Sequence, residues 1–133
     1  IVAIDLLPMH PIPGVEVIRG DFEIDEGLAA LDRVLAGTSI DLVISDLSPN
    51  LSGIDVVDQA RSIGLAELAL DFARTRLQPG GDLVVKVFQG AGLDEYQRAV
   101  RGFFAKVHLR KPKASRDRSR EHYVVAKCRL GGD

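Results

Sequence analysis

The chain has 133 residues, 46% of them hydrophobic, and a formal charge of −2, which is enough apolar content for one ordinary buried core. This balance excludes a disordered segment, and no apolar run approaches the roughly 18 to 20 residues of a membrane span. A single cysteine excludes an internal disulfide, and three histidines offer no zinc-type ligand spacing. The opening IVAIDLLPMH lacks both a basic n-region and a small-residue cleavage site, so the cytosol is the expected compartment.

In chain order, Ile1 to Asp5 is a β-branched run ending in a carboxylate, and three prolines between Leu6 and Pro13 turn that strand into a loop. Val15 to Ile18 reads as a second strand and ends at Arg19-Gly20-Asp21-Phe22. Leu28, Leu31, Val34 and Leu35 share a helical face until Gly37 stops the helix. "DLVISD", Asp41 to Asp46, is a buried-type strand, and the turn-rich "LSPNLSG" leads to the longest helical pattern, Val57 to Leu77. Its inner side is marked by Ile63, Leu65, Leu68, Ala69, Phe72 and Leu77. Pro79-Gly80-Gly81 ends this helix and turns into a strand whose Leu83, Val84, Val85, Val87 and Phe88 suggest burial on both faces. Gly90-Ala91-Gly92 then serves as a turn into a helix from about Leu93 to Phe104. A strand from Ala105 to Leu109, a basic loop and a last strand from about His122 to Cys128 complete the chain, with Cys128 expected as a small core residue.

Strands alternating with helices predict an α/β fold with a mainly parallel sheet. No apolar helical pattern separates the last two strands, which predicts an antiparallel pair at one edge. The absence of a repeat or linker makes residues 1–133 one domain.

In open α/β sheets, ligands bind beyond the carboxyl ends of the strands. Asp5 ends the first strand, Asp21 follows the second, Asp46 ends the third and Lys86 lies in the later half of the fourth, so these groups are expected to converge on one crevice. An unpaired buried ammonium costs several kcal/mol. Lys86 must therefore snorkel out at the sheet end or be held by a partner, and Asp46 is the natural one. The basic residues are also segregated: Lys106, Arg110, Lys111, Lys113, Arg116, Arg118 and Arg120 are seven of the chain's 17 Lys and Arg. This run fits a polyanion contact, with a solvated basic loop as the alternative.

"DLVISDLSPNLSGID" also looks like the phospho-acceptor strand of a response-regulator receiver. That likeness fails downstream, because Leu47 to Gly81 holds one loop and one long helix where a receiver needs a further strand. A fuller match is carried by "DLLPMHPIPGV", "GDF", "SDLSPNLSG", "PGGDLVVKVFQG", "DEYQRAVRGFF" and "RKPKASRDRSREHYVVA". In their order and spacing these motifs resemble the FtsJ-type ribosomal RNA large-subunit methyltransferases, which methylate a ribose 2′-hydroxyl.

The resemblance implies a Rossmann-like fold dependent on S-adenosylmethionine, with Asp46, Lys86 and Glu121 as three members of a Lys-Asp-Lys-Glu catalytic set. The remaining lysine, the first strand and its Gly-rich cofactor loop belong upstream of Ile1, so the chain reads as the C-terminal two-thirds of the family domain. The resemblance further assigns Asp5 to the cofactor ribose, Asp21 to the adenine amino group and Phe22 to the adenine face, with Asp46 expected to contact the cofactor as well as to serve in the catalytic set. A turn cap for Asp21 and a core role for Phe22 remain the alternatives. The implied substrate is a uridine of 23S ribosomal RNA in the large ribosomal subunit, with the basic run from Lys106 to Arg120 against RNA phosphates. Lys86 is expected to act on the hydroxyl as general base or by steering the oxygen, positioned by Asp46 and supported by Glu121. A non-catalytic RNA-binding remnant is the rival reading.

Overall fold

The computed structural model describes residues 2–5, 16–19, 25–36, 40–46, 52–111 and 121–131, and divides the chain into two compact units, Ile1–Thr38 and Ser39–Asp133. In the first unit, β1 (Val2–Asp5) pairs in parallel with β2 (Glu16–Arg19), which sets Asp5 beside Arg19 at the carboxyl end of both strands. Helix α1 (Asp25–Leu35) buries Leu31. It begins ahead of the predicted Leu28 because apolar spacing reports only the buried stripe and is silent on a polar first turn.

The second unit contains β3 (Ile40–Ser45), α2 (Asp55–Arg76), β4 (Leu77–Phe88), α3 (Leu93–Arg101), β5 (Phe104–Arg110) and β6 (Glu121–Arg129). Its strands lie in the order β3-β4-β6-β5, with β3 and β4 parallel and the other two pairings antiparallel. The expected α/β fold and antiparallel C-terminal pair are therefore present. Among the described residues, however, parallel and antiparallel pairings are equal in number, and the last strand is inserted between β4 and β5.

Helix α2 can lie close to the sheet because its inner row is small: Ala66, Ala69 and Ala73 are at most 1% exposed and pack with Leu83, Val85 and Val87 of β4. Acidic Asp55 and Asp58 in its first turn and basic Arg74 and Arg76 in its last complement the helix dipole. Leu68 departs from the predicted inner side, being 36% exposed, whereas the polar Asp58, Gln59 and Ser62 are buried. Each of these has a bonding reason. Asp58 Oδ1 accepts from the Ser52 backbone N–H and hydroxyl, both at 2.8 Å, while Gln59 and Ser62 bind the backbone at the end of β4. Helix α3 buries Leu93, Tyr96 and Val100, and the Tyr96 hydroxyl donates to Ala66 O at 2.8 Å, tying α3 to α2.

Three further expectations are corrected. Pro79-Gly80-Gly81 does not precede β4 but lies inside it, where the six residues Leu77 to Asp82 run against the three from Ile40 to Leu42. Gly81 fits this bulge because a Cβ there would meet Leu77 Cδ2 at 2.9 Å and the Asp41 carbonyl oxygen at 3.0 Å. Nor is β4 buried on both faces: Leu83, Val85 and Val87 are enclosed, while Val84 and Lys86 are only half-buried. Within this unit α2 and α3 pack against the first of these faces, and on the other Leu42 and Ile44 are 51% and 64% exposed. Finally, Cys128 is exposed rather than core. Its positive φ of 62° breaks the alternation that buries Val124 and Ala126, and its N–H bonds Asp82 Oδ1 at 2.9 Å.

Candidate active site

The register of the second unit builds a row of polar groups across its four strands. Ser45 pairs with Val85, so Asp46, one residue past β3, arrives beside Lys86. Lys86 in turn stands opposite Tyr123 of β6, which stands opposite Arg110 of β5. Directly opposed residues share a face, so the row needs no long-range adjustment of side chains.

The contacts follow from this arrangement. Lys86 Nζ lies 2.9 Å from Asp46 Oδ1 and 3.7 Å from Glu121 Oε1. The Lys86 side chain is 13% exposed, against 61% for Asp46, so the ammonium emerges from the sheet toward a carboxylate that remains solvated. This resolves the presence of a lysine in an apolar strand: its stem is covered and its head is paired. The Tyr123 hydroxyl also donates to Asp46 Oδ1, at 2.8 Å. Partial burial works to raise the Asp46 pKa, but the hydrogen bonds from Lys86 and Tyr123 outweigh it and hold the carboxyl below its usual 3.8. Burial, reinforced by the Asp46 carboxylate, pushes the Tyr123 phenol up to about 12.

These directions set a pH window. Asp46 has a depressed folded pKa, so its contribution is present above the ordinary carboxylate range and is lost as pH falls through the lower folded value. Tyr123 has a raised one, so its contribution is complete below pH 10 and is lost as pH rises through about 12. In a Tyr96→Phe background, ultraviolet titration should show Tyr123 still protonated above pH 10, with phenolate forming only toward about 12. Asp46→Asn should bring that midpoint down. An ordinary phenol titration in the folded protein would remove Tyr123 from the row.

Of the site residues expected from sequence, Asp46, Lys86 and Glu121 come together. Asp5 closes β1 in the first unit, while Asp21 and Phe22 lie outside the described residues. Among the basic residues, Arg110 and Lys111 stand at the same end of the sheet as Lys86. Lys106 pairs with Lys127, four residues back along β5, or about 13 Å from the row at ordinary strand rise. Lys113, Arg116, Arg118 and Arg120 lie outside the described residues. Tyr123 was missed, although "EHY" carried a signal: in a strand, residues two apart share a face, so Glu121 implies Tyr123.

The FtsJ-like methyltransferase family description matches residues 1–129. The chain is 57% identical over 125 residues to a protein of Azoarcus sp. and 58% identical over 125 residues to one of Alkalilimnicola ehrlichii, both named ribosomal RNA large subunit methyltransferase E. Each alignment covers 94% of this chain but only 61% and 60% of those proteins, so the chain spans about three-fifths of the length of these curated relatives. The crystal structure of a ribosomal RNA methyltransferase from Plasmodium falciparum superposes with a TM-score of 0.85 at 30% identity, covering 99% of this chain and 73% of that one. A family match over nearly the whole chain, on a fold that sets Asp46, Lys86 and Glu121 within one cluster, establishes that this chain belongs to the FtsJ-like methyltransferases.

Proposed function

We propose that this chain carries the catalytic cluster of an S-adenosylmethionine-dependent ribose 2′-O-methyltransferase acting in the cytoplasm on a uridine of 23S ribosomal RNA in the large ribosomal subunit. The observation that carries this reading is Lys86, covered along its stem and held at the sheet end 2.9 Å from Asp46. A 2′-hydroxyl is a poor nucleophile while it keeps its proton, and its oxygen must be set in line with the methyl group. Lys86 orients that oxygen and stabilises the negative charge that grows on it, while the hydroxyl proton passes to solvent water at the exposed Asp46 end of the cluster. Methyl transfer leaves the cofactor a neutral thioether. Asp46 holds Lys86 in place, and Glu121 supplies a second carboxylate at 3.7 Å.

When bound, S-adenosylmethionine supplies an electrophilic methyl group on sulfonium. The fit of this chain to the cofactor is supported by Asp5, which sits at the carboxyl end of a parallel strand pair, where ribose hydroxyls find carboxylate acceptors in such folds. Asp21 and Phe22 complete this proposal as partners of the adenine. The run of the family match through both units supports reading them as parts of one methyltransferase domain. No helix among the described residues is long and apolar enough to cross a membrane.

Arg110 and Lys111, at the same end as Lys86, form the part of the RNA-binding surface nearest the cluster, with Lys113, Arg116, Arg118 and Arg120 following in sequence. Lys106 belongs to the outer part of that surface.

The test compares the chain itself with a completed form, joined to the part of a curated relative that it does not match. Calorimetry with S-adenosylmethionine and transfer of a labelled methyl group to large-subunit RNA are the measurements. The completed form is expected to bind the cofactor and methylate a ribose. RNA capture by that form without methyl transfer would establish the RNA-binding remnant instead. Arg110→Ala and Lys111→Ala should each flatten the dependence of log affinity on log salt by about one unit, because each removes one phosphate contact. An unchanged slope would place the RNA elsewhere.

A further inference from the structure

The row at the sheet end contains a group that the chemistry above leaves unused, the phenol of Tyr123. Lys86 Nζ and Tyr123 Oη reach the same atom, Asp46 Oδ1, at 2.9 and 2.8 Å. They approach it from β4 and β6, two strands directly bonded to each other at this rung. Asp46 itself stands one residue past the last pairing of β3 with β4, and its side chain is 61% exposed. An exposed aspartate beyond its ladder keeps rotational freedom about two side-chain bonds, and a single salt bridge leaves much of that freedom intact. Two donors converging from a rigid pair of strands remove it.

We propose that Tyr123 is a positioning residue, which fixes the Asp46 carboxylate against Lys86 and thereby sets the direction in which the lysine head meets a ribose hydroxyl. This rests on the reading of Lys86 as the group that handles that hydroxyl. Tyr123 acts through Asp46, since its hydroxyl is spent on Oδ1. Among the described residues, the charged groups facing it are Asp46 from the end of β3, Lys86 from β4, Glu121 from its own strand and Arg110 across the rung on β5. The phenol is a donor through the physiological range, as any tyrosine is, and burial with the Asp46 carboxylate extends that range toward about 12.

Tyr123→Phe keeps the ring and removes only the donor. In the completed protein it should lower kcat about tenfold, the scale of one hydrogen bond to a charged group, and leave the KM for S-adenosylmethionine within about twofold. Asp46→Asn combined with Tyr123→Phe should be no slower than Asp46→Asn alone, since the phenol then has no carboxylate to position. Additive losses in the double variant would overturn the proposal in favour of an independent packing role. A second arm needs no turnover: carbon NMR titration of the Asp46 carboxyl in the same protein should show a higher midpoint in Tyr123→Phe. An unmoved midpoint overturns the proposal whatever the kinetics. Should the wild-type completed protein transfer no methyl group, the enzymatic reading fails, and the carboxyl titration alone decides the positioning contact.

Discussion

Lys86→Ala in the completed protein should lower the single-turnover rate of methyl transfer by roughly 10²- to 10³-fold, the range seen when one preorganised donor at a developing oxyanion is lost. Binding of S-adenosylmethionine should persist, because Lys86 belongs to the acceptor side of the reaction and the cofactor contacts are proposed at Asp5, Asp21, Phe22 and Asp46, all of which the variant keeps. The fold should persist as well. Truncation leaves Asp46 facing solvent, where its 61% exposed side chain can be hydrated, rather than stranding a buried charge. Lys86→Arg should not restore the rate, since a planar guanidinium cannot place a single compact charge where the ammonium head stood. Single-turnover transfer of a labelled methyl group, with calorimetry on the same samples, separates the two steps. Turnover close to wild type in the alanine variant would exclude Lys86 from the chemistry and with it the central claim of the proposed mechanism.

The second large effect concerns stability. Gln59 is 4% exposed, and its Nε2 donates to Phe88 O at 2.8 Å and to Ala91 O at 3.0 Å, while Ser62 Oγ accepts from the Phe88 N–H at 3.1 Å. These buried polar groups clamp the chain where it leaves β4, two residues beyond Lys86. Gln59→Ala strips a donor from two carbonyls and should cost about 2 to 4 kcal/mol, read as a fall in the urea midpoint with unchanged slope. Gly90 explains why the clamp closes so tightly: its φ is 148°, and a Cβ there would lie 2.9 Å from Gln59 Cδ. Gly90→Ala should therefore also destabilise, through the clash and through backbone strain. The two changes act on one contact. In the Gln59→Ala background the added methyl has room, so Gly90→Ala should cost less there than in the wild type. Strictly additive losses would show that Gly90 is required for some reason other than Gln59.

How much of this was legible in the sequence depends on the range of the interaction concerned. Periods of two and 3.6 residues are local, and they marked every element in its order, with most ends displaced by no more than three residues where a polar first turn carries no apolar signal, and the start of β4 missed by more because its bulge hides the Leu77 end. Asp46 and Lys86 stood out because a charge at a strand end or inside an apolar run is anomalous against its own neighbours. Glu121 came from motif resemblance rather than from any local pattern.

What the sequence by itself determined is thus the α/β order of elements and, at the site, the anomalous Asp46 and Lys86, since these stand out against residues close along the chain. Only the tertiary structure decided that β6 lies between β4 and β5, which brings Tyr123 onto Asp46 from 77 residues away. It also decided that Lys106 falls four residues short of the site, that Cys128 turns outward, and that α2 buries Asp58, Gln59 and Ser62. Each of these outcomes is set by strand register or by a hydrogen-bond partner on another element. Local periodicity carries no record of a partner, so these features arise only when the strands pair.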